Sequence, residues 1–154
     1  MEDQNPSAAL LRMLIEFPYL SSPLEVIDAA LDMAELSPCD VLADLGCGDG
    51  AVLIRAAEKF RVFSVGFEVD HKLVNIAHEN IKAKDLREFV DVVHSDLFTV
   101  DISKFSVIYI YPSPLTVKRL SEKVVSECAK NSRILVHDYP LTSLRPAKTA
   151  KIPT

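Results

Sequence analysis

The chain has 154 residues, 49% of them hydrophobic and 25% charged, which suits one globular domain with a single core and excludes a disordered chain. Its net charge of −5 gives no field for wrapping a phosphate backbone and favours a basic partner instead. Three scattered cysteines without Cys-x-x-Cys spacing support neither a disulfide framework nor a metal site, and suit a reducing cytoplasmic setting. The first apolar stretch, Ala8–Phe17, is interrupted by Arg12 and Glu16. It therefore reads as neither a signal peptide nor a membrane span.

In chain order, residues 6–17 read as a helix with Leu10, Leu11, Leu14 and Ile15 on one face. Pro18–Pro23 breaks that pattern. Ser22 followed by Pro23 is expected to cap a helix running to about Leu36, with Val26, Ile27, Ala30, Leu31 and Ala34 inward. Val41, Leu42, Ala43 and Leu45 then read as a buried strand, broken by Gly46, Gly48 and Gly50 and followed by a helical pattern over 51–60. A second strand is expected over 61–68. Asp70 is placed to cap a helix reaching Ala83, followed by a third strand over 89–94. A fourth strand over 106–111 ends in Pro112-Ser113-Pro114. A helix over about 115–129 and a fifth strand over 133–137 complete the pattern.

Strands alternating with helices predict an α/β fold: a doubly wound, mostly parallel sheet with helices on both faces and strand order 3-2-1-4-5. The division expected is a helix and covering segment over 1–22, a core over 23–138 and a closing loop over 139–154. Too few residues follow strand five for a further strand pair, so either that strand is expected near an edge or later residues are absent from this sequence. An exposed edge leaves monomer and homodimer both open.

Ligands of such sheets bind outside the carboxyl ends of the strands. Here those ends carry Asp44 with the glycine turn, then Glu68, then Ser95-Asp96-Leu97, then Tyr109-Ile110-Tyr111. Gly46-x-Gly48-x-x-Ala51 also satisfies the dinucleotide fingerprint. Charge argues against that ligand, because Asp44 before the turn and Asp49 inside it repel a pyrophosphate and attract an ammonium and a sulfonium.

The stretch Asp44-Leu-Gly-Cys-Gly-Asp-Gly50, with Glu68 and Asp96 in order, resembles the cofactor-binding motifs of class I S-adenosylmethionine-dependent methyltransferases over roughly Pro18–Asp138. The resemblance implies S-adenosyl-L-methionine as cofactor. It implies that Gly46, Cys47, Gly48 and Gly50 line the methionyl part, with Asp44 or Asp49 at its amino group. Glu68, with Val69 beside it, would hold the ribose, and Asp96 with Leu97 the adenine. Within that superfamily the chain is most similar to the small archaeal protein-lysine methyltransferases and their mitochondrial relatives. The likeness rests on short length, on Pro18-Tyr19-Leu20-Ser21-Ser22-Pro23, and on Tyr109-Ile110-Tyr111-Pro112-Ser113. It implies that Tyr19 and Ser21 or Ser22 lie near the methionyl end, that Tyr111 also reaches the cofactor, and that a protein with accessible lysines is the acceptor.

Tyr109 or Tyr111 is the expected catalytic group, orienting the amine; burial of a parallel strand on both faces offers a plain structural reading of Tyr109. No base stands out. A nucleic-acid methyltransferase ranks second, because Tyr111-Pro112-Ser113-Pro114 lacks both the amide or acid and the terminal aromatic of base-amine methylating enzymes. A small-molecule methyltransferase and a cofactor-binding regulatory module are further readings. His137-Asp138 is placed where it could touch a substrate, but a solvated strand end is the expected reading of His137. Lys118, Arg119, Lys123 and Lys130 are expected on the wet side of a helix. No membrane partner or metal is expected.

Overall fold

The computed structural model describes residues 21–153. The expected helix over 6–17 lies outside them. Five strands, β1 (Val41–Leu45), β2 (Phe63–Glu68), β3 (Val90–His94), β4 (Val107–Ile110) and β5 (Arg133–Val136), form one sheet in the order β3-β2-β1-β4-β5. Every pairing is parallel. Four helices connect or precede them: α1 (Leu24–Met33), α2 (Ala51–Phe60), α3 (His71–Ala83) and α4 (Val117–Glu127). The sheet topology is thus the one the alternating pattern predicts.

Period-two alternation divides the central strands between two cores. Leu42, Val107 and Tyr109 pack with Ile27 and Leu31 of α1 and Val52 and Ala56 of α2. Ala43, Leu45, Ile108 and Ile110 face the other way, against Leu120 and Val124 of α4 and Ile102 of the β3–β4 connection. A third cluster joins α2, α3 and β3 through Leu53, Ala57, Val74, Ala77, Ile81 and Val92. Central strands buried on both faces fix the register, since a one-residue slip would exchange the two cores.

Element ends depart from expectation in instructive ways. The residue capping α1 is Pro23, with no side-chain bond, so Ser22 is not its cap. That helix stops at Met33 rather than Leu36, and Glu35 turns into the left-handed region at φ 51°. Helix α4 begins at Val117, with Thr116 at its cap position, close to the expected start, and ends at Glu127 rather than near Ala129. Asp70 does cap α3, accepting from the Lys72 amide at 2.9 Å. Lys123 is not on the wet side of its helix. It is 6% exposed, and its Nζ donates to the Val100 carbonyl at 2.6 Å and to Glu127 at 2.8 Å. The long aliphatic stem lets a lysine lie in the groove between α4 and the β3–β4 connection while its head finds acceptors. Residues 139–153 contain no helix or strand, so β5 is an edge of the sheet among the described residues. No helix among them is long and apolar enough to cross a membrane.

Candidate functional site

The register brings the strand ends level. Leu45 pairs with Phe67 on one side and with Ile110 on the other, and Ile110 pairs with Val136. The residues that follow, Glu68, Gly46, Tyr111 and His137, therefore stand in one row at the carboxyl edge. The strand order turns between β1 and β4, where a doubly wound sheet opens a crevice.

The turn after β1 is shaped by backbone conformations that side chains resist. Gly46, Gly48 and Gly50 have φ of 83°, 56° and 85°. The turn is then tied across to β2. The Gly46 amide donates to the Phe67 carbonyl at 2.8 Å, and the Gly48 amide to Glu68 Oε1 at 2.8 Å. Glu68 Oε2 accepts the Asp70 amide at 2.9 Å, so one carboxylate closes both the glycine turn and the start of α3. Two of the roughly four acceptor positions of that carboxylate take no donor from the described residues. Beneath the turn, Cys47 and Leu53 press on Gly66. A Cβ on Gly66 would lie 2.5 Å from Cys47 Sγ and 2.6 Å from Leu53. The fourth glycine thus belongs to the same construction. Burial, with Asp44 and Glu68 adding repulsion, pushes the Cys47 thiol well up, so it is a packing group rather than a nucleophile.

The electrostatics of the edge favour a cation. Asp44 is 3% exposed, and no hydrogen bond reaches its carboxyl from the described residues. Burial first, then Glu68 and Asp49, push its pKa up to about 8. Asp49 Oδ1 accepts the Ala51 amide at 3.2 Å, at the start of α2. Beyond β3, Asp96 Oδ1 accepts the Phe98 amide at 2.9 Å, while its buried Oδ2 has no partner among the described residues. A buried unpaired acceptor costs stability unless a donor meets it. Leu97 stands close by: a Cβ on Gly46 would come within 3.8 Å of its Cδ2. A buried carboxyl wanting a cation, a carboxylate with spare acceptor positions and an orphaned acceptor beside an apolar wall together fit S-adenosylmethionine, with its ammonium, ribose and adenine amine.

The expected site residues divide between two groups. Asp44, Gly46, Gly48, Asp49, Gly50, Glu68, Asp96 and Leu97 come together, with Cys47 as their floor. Val69 is half-buried behind them, its carbonyl 2.9 Å from His94 Nε2. Tyr19 lies outside the described residues, and Ser21 is exposed.

The second group forms around the tyrosines. Tyr109 is 2% exposed, and its hydroxyl is 2.9 Å from Ser22 Oγ. Ser22 Oγ is also 2.9 Å from His137 Nδ1. The His137 ring lies against the Tyr111 ring with centroids 3.7 Å apart. Tyr111 donates to Asp138 Oδ2 at 3.1 Å. His137 is therefore not a solvated strand end. Its side chain is 8% exposed, and burial lowers its pKa against the pull of Asp138. Ser22 and Asp138 escape a sequence reading as partners because their contacts span 115 and 27 residues. The one local signal, a polar pair directly after strand five, does not reveal what faces it.

The fold and the cation-seeking pocket define a class I, Rossmann-like S-adenosylmethionine-dependent methyltransferase. The ANTKMT methyltransferase domain matches residues 44–148, and the chain belongs to that family. A protein-lysine N-methyltransferase of Saccharolobus islandicus (strain REY15A) is 29% identical over 136 residues, covering 88% of this chain and 84% of the relative. The adenine nucleotide translocase lysine N-methyltransferase of Mus musculus is 21% identical over 141 residues, covering 92% of this chain and 61% of that protein's length. Among solved structures, an RNA methyltransferase from Salinibacter ruber in complex with S-adenosyl-L-homocysteine superposes with a TM-score of 0.84 at 32% identity, covering 86% of this chain and 87% of the other.

Proposed function

We propose that this protein methylates lysine side chains of a protein acceptor. The reading is carried by the archaeal protein-lysine N-methyltransferase, which this chain matches over most of both lengths. The charge supports it, since a net charge of −5 and an exposed Asp138 at the carboxyl edge suit a cationic acceptor better than a phosphate backbone. Bound S-adenosylmethionine supplies an electrophilic methyl on sulfur, which needs alignment and dryness more than covalent help.

Residue by residue, the proposal gives Asp96 Oδ2 to the adenine amine, with Leu97 against the ring. The open acceptor positions of Glu68 take the ribose hydroxyls. Gly46, Gly48 and Gly50 would line the methionyl part, and Asp44 and Asp49 would meet its ammonium. Tyr111 lines the acceptor side. Tyr109 acts behind it, since its hydroxyl is turned to Ser22.

A second reading is RNA methylation, favoured by the description of the Salinibacter ruber protein. Labelled S-adenosylmethionine offered with a mixture of basic proteins and total RNA separates the two. Label in protein, recovered as methyllysine by mass spectrometry, is expected. Label confined to RNA would falsify the lysine reading.

A further inference from the structure

Four side chains from three separate parts of the chain form a directed relay at the β4–β5 end of the edge. Tyr109 is a buried phenol, and a buried O–H must find an acceptor. Ser22 Oγ is the acceptor the described residues offer it, at 2.9 Å. Ser22 Oγ is also 2.9 Å from His137 Nδ1, and with Tyr109 donating to it the Ser22 hydroxyl is free to donate onward to that nitrogen. In that arrangement the ring proton of neutral His137 sits on Nε2. That nitrogen lies 3.4 Å from Asp138 Oδ1.

The relay ends at a carboxylate fixed from both sides. Asp138 Oδ2 accepts the Tyr111 hydroxyl at 3.1 Å, and Tyr111 in turn stacks on the His137 ring. The backbone of Asp138 is left-handed, with φ 63°, a conformation uncommon for a residue with a side chain. Although its two oxygens are engaged, the Asp138 side chain is 56% exposed. A negative group thus faces solvent beside an aromatic ring, two strands from the glycine turn, with Tyr111 at the end of the intervening β4. A carboxylate next to an aromatic ring suits an alkylammonium ion.

We infer that Asp138, with the Tyr111 ring, is the seat of the acceptor ammonium, and that Tyr109, Ser22 and His137 are positioning residues that hold this seat. The inference rests on the lysine reading above and assigns its acceptor site. Ser22 lies beside Pro23, the cap residue of α1, so the seat also fastens the start of that helix to the carboxyl ends of β4 and β5.

The test is steady-state methylation of a lysine peptide by the full chain and three variants, with S-adenosyl-L-homocysteine binding measured alongside. Asp138→Asn keeps the shape, and asparagine tolerates the left-handed backbone, so folding is preserved. It is expected to raise KM for the peptide about tenfold and to flatten the salt dependence of KM, with kcat changed less than about threefold. Affinity for S-adenosyl-L-homocysteine is expected to stay as in the wild type. Ser22→Ala is expected to lower kcat/KM about tenfold, whereas Ser22→Thr, which keeps the hydroxyl, restores most of it. An unchanged peptide KM in Asp138→Asn, with lysine still methylated by the wild type, overturns the seat alone. Equal activity of Ser22→Ala and Ser22→Thr overturns the relay. Wild-type protein that methylates RNA and no lysine overturns the functional reading and the seat together.

Discussion

Glu68 Oε1 accepts the Gly48 amide at 2.8 Å across 20 residues, joining the end of β2 to the glycine turn that follows β1. Its other oxygen accepts the Asp70 amide at 2.9 Å. The proposed ribose-binding group is therefore also the clasp of the turn that receives the methionyl part. Glu68→Gln retains one oxygen and presents an NH2 group to a backbone donor, leaving an amide unpaired. The expected result is a destabilisation of about 1–3 kcal/mol and a loss of S-adenosyl-L-homocysteine affinity of about tenfold or more. Thermal melts and calorimetry with the same preparation measure both. A variant that melts like the wild type and binds as tightly would remove Glu68 from both roles.

Asp44 carries the pH dependence. Its carboxyl is raised in the folded protein from about 3.8 to about 8 by burial, then by Glu68 and Asp49. The folded value lies above the unfolded one, so the stability Asp44 contributes is fully present below about pH 4 and is lost as pH rises through about 8. Asp44→Asn is therefore expected to melt increasingly above the wild type between those limits, in the absence of ligand. A bound cation reverses the preference, because it favours the charged carboxylate. Ligand binding should then release a proton from Asp44, read by calorimetry in buffers of different ionisation enthalpy. The α-amino group of the ligand also titrates near 8, so the difference between wild type and Asp44→Asn isolates the protein's share. Identical proton release in both proteins would rule out Asp44 as the group facing the cation.

The sheet was legible because its signals are local. Four-to-six-residue apolar runs, separated by helical periodicity, admit few parallel topologies once crossovers are right-handed. The carboxylates at successive strand ends were legible too, since strand ends can be counted along the chain. What could not be read were contacts set by tertiary register. Ser22 before a proline has the form of a helix cap, and nothing nearby shows that Tyr109 and His137 claim its hydroxyl instead. Lys123 looked like a solvated charge because its acceptors lie on a different element, at Phe98 and Val100.

Gly66 illustrates the same limit, and it makes a sharp prediction. Its φ is ordinary, so nothing in its backbone demands glycine; the demand comes from Cys47 and Leu53. In Gly66→Ala the new methyl must displace either the floor of the glycine turn or a core leucine of α2. Overpacking of this kind costs about 1–3 kcal/mol or more. The displacement acts on the turn itself, so cofactor affinity should fall along with stability. Cys47→Ala in the same chain removes the Sγ that lies 2.5 Å from the added Cβ and should restore part of both. Additive losses in the double variant, rather than rescue, would show that the Cβ of residue 47 and Leu53 Cδ1, each 2.6 Å from the added Cβ, are the obstacle rather than Cys47 Sγ.

The β3–β4 connection that bears Asp96 and Leu97 is held down by α4, and this anchorage is testable apart from the pocket. Lys123 Nζ donates to the Val100 carbonyl at 2.6 Å and to the Phe98 carbonyl at 3.4 Å, with Glu127 as counter-ion. One turn earlier, the Arg119 guanidinium lies 3.9 Å from the centre of the Phe98 ring. Lys123→Met keeps the length and apolar stem but removes every donor. The two carbonyls then lose a buried partner, at a cost of about 1–3 kcal/mol, which in a domain of this size lowers Tm by roughly 3–10 °C. A loosened connection no longer holds Asp96 Oδ2 in one place, so adenosine, which tests the adenine end alone, should bind several-fold more weakly. The glycine turn lies on β1 and β2, away from this anchorage. Proton release at Asp44 on binding S-adenosylmethionine should therefore survive in Lys123→Met. Loss of that proton release together with adenosine binding would mean that α4 supports the whole pocket rather than its adenine end.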